Sequence, residues 1–415
     1  MTAAALLGDV HARSWGLLLG QLIRATGRPD LAEDALADAF VQATEQWPAR
    51  GVPANPAGWL ATVARRRLVD AQRKESRRAA PEFRAAILQR SSGPGSALPG
   101  EDADERIPLL FMATHPALAE DVRPALALRF VLGVPTEAIA RLFLVPTATM
   151  AARLTRAKRR LATTGVALGV PDPERWPDRL DDVARSIYLA FTAGYAPGGD
   201  EVLRVADAGD AVRLAVLAAD LLPGERAPTA LAALLRLHHA RRDARTGPGG
   251  GPVLLAQQDR ARWHADEIAD GLTRLRSLEP GEGYAEELRL QALIAAFHAT
   301  AATAADTDWV GIARTYRRLE SLTDSPLVRL NRAVAEGEAI GPMAGLALLR
   351  AVGERLPGNH RVELVRAELL RRDGRRDAAL AAYAEALARC PEGVERRHIA
   401  TRLESLRSDK AGESG

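Results

Sequence analysis

Residues Pro135 to Leu161, PTEAIARLFLVPTATMAARLTRAKRRL, carry the densest chemistry in the chain. On a wheel of about 100° per residue, Met150, Leu154, Ala157 and Leu161 form one narrow stripe, and Thr149, Ala152, Arg153, Arg156, Arg159 and Arg160 fill the opposite arc. Guanidinium groups set out this way can pair with phosphates or take guanine bidentately. No acidic residue lies between Ala138 and Pro171 to oppose them. The positioning elements are a first helix with Thr136 as its expected cap and Ile139, Ala140 and Phe143 inward, then a break at Leu144 and Val145 before Pro146. Together they spell a helix-turn-helix. A solvated cationic face would show the same pattern, so the stretch alone does not separate the two.

A second basic face lies upstream. Asn55 as N-cap and Pro56 at the first helical position open a helix that packs through Leu60, Val63, Ala64, Leu68 and Ala71. Thr62, Arg65, Arg66, Gln72 and Arg73 project from its other side. Before it, Asp30 and Glu33 have capping-box spacing, opening a helix packed through Leu31, Ala35, Ala39, Ala43 and Trp47. Asp34, Asp38, Gln42 and Glu45 are left outward. A still earlier stripe, Trp15, Leu18, Leu19, Leu22 and Ile23, completes three helices, and Gly27 and Pro29 end the first of them. Charge is segregated: Pro29 to Pro48 holds five acidic residues and no basic one, and Arg50 to Arg90 holds ten basic residues against three acidic.

Composition narrows the class. The 415 residues are 47% apolar, enough for two to four domains with real cores, and the richness in Ala, Leu and Arg with few aromatics points to an all-α fold. The formal charge is only +3, and lysine occurs only at positions 74, 158 and 410, so whole-chain charge argues for no partner by itself. Cys390 is the single cysteine, which excludes an internal disulfide and argues against a cysteine-based zinc site; no metal or cofactor is expected. No phosphate-binding glycine loop, HExxH or cysteine pair supports catalysis, and no enzymatic activity is expected. His238 and His239 face different ways on a helix, and the stretch around His264 reads as a solvated face. No signal peptide or 18-residue apolar run stands out, so a soluble, cytoplasmic protein without membrane contact is expected.

Along the chain, SSGPGSALPGEDADE has the composition of a flexible tether. The resulting division is 1–78 for the first helical module, 79–105 for the linker, 106–165 for the helix-turn-helix module, 166–270 for a helical connecting domain and 271–415 for a repeat-like domain. Pro171, Pro173 and Pro177 punctuate the start of the connecting domain. Positions 248–255 are the one place where a loop or hairpin could stand. In the last domain Pro326, Pro357 and Pro391 are expected to close helices at intervals of 31 and 34, and Gly374, Ala379, Tyr383 and Ala386 suit the final unit. That spacing resembles the tetratricopeptide repeat, although other stacked αα-hairpins give the same signal.

Taken in order, DLAEDALADAF, NPAGWLATVARRRLVDAQR, LALRFVLGVPTEAIARLFLV and TMAARLTRAKRRL resemble regions 2 and 4 of bacterial sigma factors of the extracytoplasmic-function group. The long remainder resembles the subgroup with a fused tetratricopeptide-like extension. The fold so implied is two small helical sigma domains joined by a flexible linker, followed by a large helical repeat-like domain. The resemblance implies that Asp34, Asp38 and Gln42 dock on the β′ clamp of core RNA polymerase, with the β flap as a further contact. It implies promoter DNA as the second partner: the -10 element held by Asn55, Thr62, Arg65, Arg66, Gln72 and Arg73, and the -35 element read by Thr149, Ala151, Ala152, Arg153, Thr155, Arg156, Arg159 and Arg160. Of these, Arg153, Arg159 and Arg160 are expected on phosphate or in packing. Trp59 is expected in the core rather than stacked on a base. Ala151 and Ala152 depart from the basic or polar residue and the serine common in this group, which shifts readout toward thymine methyls or DNA shape. The extension is expected to regulate the sigma module, with a protein partner of its repeats as a further expectation.

The rival reading is a stand-alone helix-turn-helix regulator with a carboxy-terminal domain for a ligand or protein. It would use only residues 135 to 161 and leave the acidic helix and the second basic helix without a role.

Overall fold

A computed structural model describes residues 3–78, 105–143, 145–169, 171–195, 205–247 and 253–408. The described residues are helical with no strands, as expected. They divide into two compact units, Met1–Ala193 and Gly194–Gly415. The tether at 79–104 and the segment 248–252 lie outside the described residues.

The first unit opens with α1 (Ala3–Thr26), α2 (Pro29–Arg50) and α3 (Pro56–Arg78). Trp15, Leu18, Leu19, Leu22 and Ile23 of α1 are buried as their spacing requires, and Gly27, at φ +63°, turns the chain out of the helix. The expected capping box does not form. Arg28 occupies the N-cap of α2 without a side-chain cap, and its guanidinium instead clamps Asp30 at 2.8 Å and Glu75 of α3 at 2.8 Å. Glu33, freed from the helix start, turns inward and is buried. Asn55 does cap α3: its Oδ1 accepts from Gly58 N at 2.8 Å. Trp59 meets Trp47 edge-on with ring centroids 5.7 Å apart, a packing role rather than an exposed stacking platform.

Helices α4 (Arg106–Ala113), α5 (Arg123–Leu132), α6 (Thr136–Leu142) and α7 (Thr147–Thr164) build the second module, followed by α8 (Trp176–Tyr195). Leu109, Leu126, Phe130, Ile139, Met150, Leu154 and Leu161 are among its buried residues. Thr136 is the first helical residue rather than the cap, because Pro135 with its extended backbone takes that place. Arg179 of α8 donates to the carbonyl of Phe111, and Arg123 of α5 reaches Asp182 of α8 at 3.3 Å.

Three glycines let the two modules approach. A Cβ on Gly16 would stand 2.6 Å from the Val131 carbonyl oxygen, one on Gly20 would stand 2.4 Å from Glu105 Cβ, and one on Gly133 would stand 2.6 Å from the Trp15 ring. Gly133 also ends α5 at φ +69°, where an L side chain adds strain. Glu105, at the expected end of the tether, is buried and ion-paired to Arg24 of α1 at 2.6 Å.

The second unit contains α9 (Val205–Leu221), α10 (Arg226–His239), α11 (Ala265–Arg276) and α12 (Gly283–Thr300). Alanines and leucines bury α10 on nearly all sides, with α9, α11 and α12 packed around it. From α12 onward, α13 (Trp309–Thr323), α14 (Pro326–Ala339), α15 (Pro342–Arg355), α16 (His360–Arg372), α17 (Arg376–Arg389) and α18 (Val394–Ser408) each pack on the next. Pro326 opens α14 rather than closing a helix, since proline lacks only an N–H that the first turn leaves unused anyway. Pro357 and Pro391 do follow helix ends, after α15 and α17. Ala379, Tyr383 and Ala386 are buried, and Gly374 turns at φ +74°. Glu267 corrects the expectation of a solvated face near His264. It is buried against His239 at 2.9 Å, with Arg242 at 3.0 Å and Arg236 at 3.5 Å.

Two outcomes follow from this packing. Gly133→Ala should lower the urea midpoint of the first unit, with a cost of about 1–2 kcal/mol from backbone alone and more from the Trp15 clash. Burial, Arg241 and Arg260 push His298 down to about 4 from its ordinary 6.5. The unfolded chain therefore takes up a proton that the folded chain refuses, so stability is full above pH 6.5 and declines as the pH falls toward 4. His298→Asn should flatten that decline in urea titrations run from pH 7 to 4, and an unchanged slope would remove the assignment.

Candidate nucleic-acid interface

α7 buries Met150, Leu154, Ala157 and Leu161, and leaves Thr149, Ala151, Ala152, Thr155, Arg156, Arg159 and Arg160 exposed. The helix-turn-helix thus presents its expected reading face outward. Arg153 differs: it is half-buried and lies 3.5 Å from Asp121, an acidic neighbour that the local sequence does not show. Its guanidinium is partly committed within the fold, which suits packing better than base reading.

On α3, Asn55, Thr62, Arg65, Arg66 and Arg73 are exposed and Gln72 is half-buried. Two of these are already engaged. Asn55 serves as the helix cap, and Thr62 Oγ1 donates to the Gly58 carbonyl at 2.9 Å. Arg65, Arg66 and Arg73 supply the charge, and Arg67 and Lys74, absent from the expected set, are exposed beside them.

α2 presents Asp34 and Asp38 to solvent, with Gln42 half-buried. Asp34, Asp38, Val41 and Glu45 fall on one stripe of the helix. Val41 is 57% exposed, an apolar side chain inside an acidic face, and an ordinary valine carries no signal in a charge pattern.

The largest departure from expectation joins these faces. Glu33, only 4% exposed, accepts from Arg129 of α5 and from Lys158 Nζ of α7 at 2.6 Å. Lys158, 8% exposed, donates also to Asp34 at 2.8 Å. Arg129 stacks over Trp15 with its Cζ 4.9 Å from the ring centroid, while Trp15 Nε1 donates to the Arg129 carbonyl at 3.0 Å. Burial alone would raise the Glu33 carboxyl, but Arg129 and Lys158 outweigh it and hold Glu33 below its ordinary range. Lys158 is likewise held above its ordinary value by Glu33 and Asp34 against the effect of burial. Partners more than 90 residues away in sequence gave no local signal for this cluster, although Lys158, alone among arginines on its helix, was visible.

His360, Cys390 and Glu395 form the one group of described residues that brings three ligand atoms within 4.8 Å. Arg361 already pairs Glu395 at 3.1 Å, which neutralises the carboxylate a cation would need. No described helix is long and apolar enough to cross a membrane.

Residues 13–78 match sigma-70 region 2, and residues 109–161 match sigma-70 region 4. Together these two modules support a sigma-70-family factor. Residues 179–278 match a family of unknown function, DUF6596. The chain is 38% identical over 402 residues to Uncharacterized protein R00370 of Rhizobium meliloti (strain 1021), an alignment covering 95% of this chain and 94% of that protein. No solved structure matches. The two sigma-70 modules carry a promoter-recognition role, with core RNA polymerase and promoter DNA as partners. They also weigh against a stand-alone helix-turn-helix regulator, which needs no region 2.

Arg159, exposed and expected on phosphate, gives the test: Arg159→Ala should weaken DNA binding by the polymerase-bound protein. The slope of log K against log salt should fall by about 0.9, and filter binding from 50 to 300 mM salt would measure it. Arg153→Ala should change that slope less.

Proposed function

We propose that this protein acts as a sigma-70 initiation factor of the extracytoplasmic-function type. In this reading α2 docks on the β′ clamp of core RNA polymerase through Asp34, Asp38, Val41 and Gln42, and the helix-turn-helix module contacts the β flap. α3 grips the -10 element through Arg65, Arg66 and Arg73, with Gln72 and the capped turn at Asn55 and Thr62 framing the strand. α7 reads the -35 element through Thr149, Ala151, Ala152, Thr155 and Arg156, with Arg159 and Arg160 on phosphate. The observation that carries the reading is the pairing, in one chain, of an outward acidic stripe on α2 with two outward basic helix faces. Acidic and basic surfaces attract, so the stripe would be repelled by DNA and suits a basic protein partner.

The domain division expected from the sequence is retained in this reading, with residues 271–415 forming a tetratricopeptide-like domain. Serial packing from α12 to α18 supports it. That extension regulates the sigma module and offers a surface for a protein partner, and the protein works in the cytoplasm.

Run-off transcription with purified core polymerase tests the assignment: promoter-dependent transcripts should appear only when the protein is added. Asp38→Ala should weaken core binding several-fold without changing the melting temperature, because Asp38 is exposed, whereas Asp34 also holds Lys158. Unchanged affinity would remove α2 as the docking helix. A chain ending after Thr164 should differ in transcript yield from the full chain; equal yields would end the regulatory role of the extension.

A further inference from the structure

Arg289 and Arg332 of the second unit end on carboxylates, Glu286 at 2.7 Å and Glu320 at 2.9 Å. Around Trp263 the pattern changes. The indole lies beside two guanidinium groups, with Arg260 Cζ 4.4 Å and Arg241 Cζ 5.9 Å from its ring centroid. Arg260 donates to backbone, to the His298 carbonyl at 2.7 Å and the Ala301 carbonyl at 3.0 Å. Arg241 faces His238 Nδ1 at 3.1 Å. Trp263 is buried, yet its Nε1–H meets no hydrogen-bond acceptor among the described residues. Buried donors are normally satisfied, so this one needs an account.

Four segments bring this set together. His238 lies near the end of α10, with Arg241 and Arg245 just after it; Arg260 and Trp263 belong to the turn before α11. His298 lies near the end of α12, where its ring meets Trp309 of α13 edge-on at 5.3 Å. Positions 244–258 contain no acidic residue, and Asp259 is used as the cap of its own turn. Asp306, exposed and bonded by Thr303, is the carboxylate that acts on Arg260. Positive charge is therefore in surplus, and both histidines record it. Burial, Arg241, Arg245 and His298 drive His238 well below its ordinary value, and burial, Arg241 and Arg260 drive His298 to about 4.

We propose that Arg241, Arg260 and the indole N–H of Trp263 form a binding site for the oxyanion group of a small molecule, a phosphate or a carboxylate. The donor set fits that chemistry: two guanidinium forks and one N–H, with neutral imidazoles rather than carboxylates beside them. Backbone carbonyls and a histidine nitrogen satisfy hydrogen bonds but leave the charge of a guanidinium uncompensated, and an anion compensates it. Arg241 and Arg260 are half-buried and Trp263 is buried, so the donors reach a small group better than a flat macromolecular surface. Reduced access to water strengthens each bond made there. All three residues lie within the stretch that matches DUF6596. The site is independent of the sigma reading above and stands or falls without it.

The test titrates the full, nitrogen-15-labelled chain at constant ionic strength with inorganic phosphate, with succinate and with chloride. The indole N–H resonance of Trp263, assigned by its loss in Trp263→Phe, should move saturably with phosphate or succinate and stay in place with chloride. Whichever anion moves it at the lower concentration identifies the group. Arg241→Gln and Arg260→Gln should each weaken that binding by about tenfold, the size of one lost charge-assisted bond. Arg262→Gln, exposed on the same turn, should bind as the parent. Melting profiles establish that each variant is folded, and bound anion should raise the midpoint of the parent. The parent titration decides the matter even where a variant unfolds: a Trp263 signal unmoved by phosphate and succinate, or moved equally by chloride, would overturn the site. Parent-like affinity in folded Arg260→Gln and Arg241→Gln would overturn it as well.

Discussion

One carboxylate organises the first half of this molecule. Glu33 leaves water between an arginine and a lysine that arrive from two helices of the other module. Removing an ion from water costs several kcal/mol even after relaxation, so the side chain is tolerated only where both cations are in register. Its contribution is therefore specificity of approach more than gross stability. Trp15, pinned under Arg129, converts that electrostatic condition into a shape condition, and the glycines of α1 and the α5 turn set the distance at which it is met.

The same device recurs in the second unit on its own terms. Glu267, Glu286, Glu320 and Glu336 are all buried, and each is gripped by arginine: Glu286 by Arg289, Glu320 by Arg329 and Arg332, Glu336 by Arg317 and Arg332. The scarcity of lysine acquires a structural use here. A planar guanidinium can bridge two carboxylates on adjacent helices, as Arg332 does, which a point ammonium does less well. An alanine-rich core offers little shape to distinguish one helix register from another, and fixed ion pairs add that information.

The helices, their inward stripes and the outward basic faces of α3 and α7 could be read from the sequence, because a 3.6-residue period, a stop at Gly27 and a start at Pro56 are local properties. Asn55 was readable for the same reason. Errors arose where a residue had two competing uses. Asp30 and Glu33 have the spacing of a capping box, but Arg28 took Asp30 and the interior took Glu33. Pro326 marks a boundary without saying on which side the helix lies. Glu267 looked solvated because the arginines that neutralise it come from another helix and its following turn. Pairings between distant segments, Lys158 with Asp34 above all, leave no mark on periodicity, and Val41 is an ordinary valine until its surroundings are known.

The two bonds of Lys158 differ in their exposure to the medium. Asp34 stands largely in water, where mobile ions screen a charge within about 8 Å at physiological ionic strength, whereas Glu33 is sheltered from them. A rise in salt therefore erodes only the outer half of the clasp. The inner bond to Glu33, shielded from mobile ions, keeps the two modules together across a range of ionic strength in which the outer bond fades.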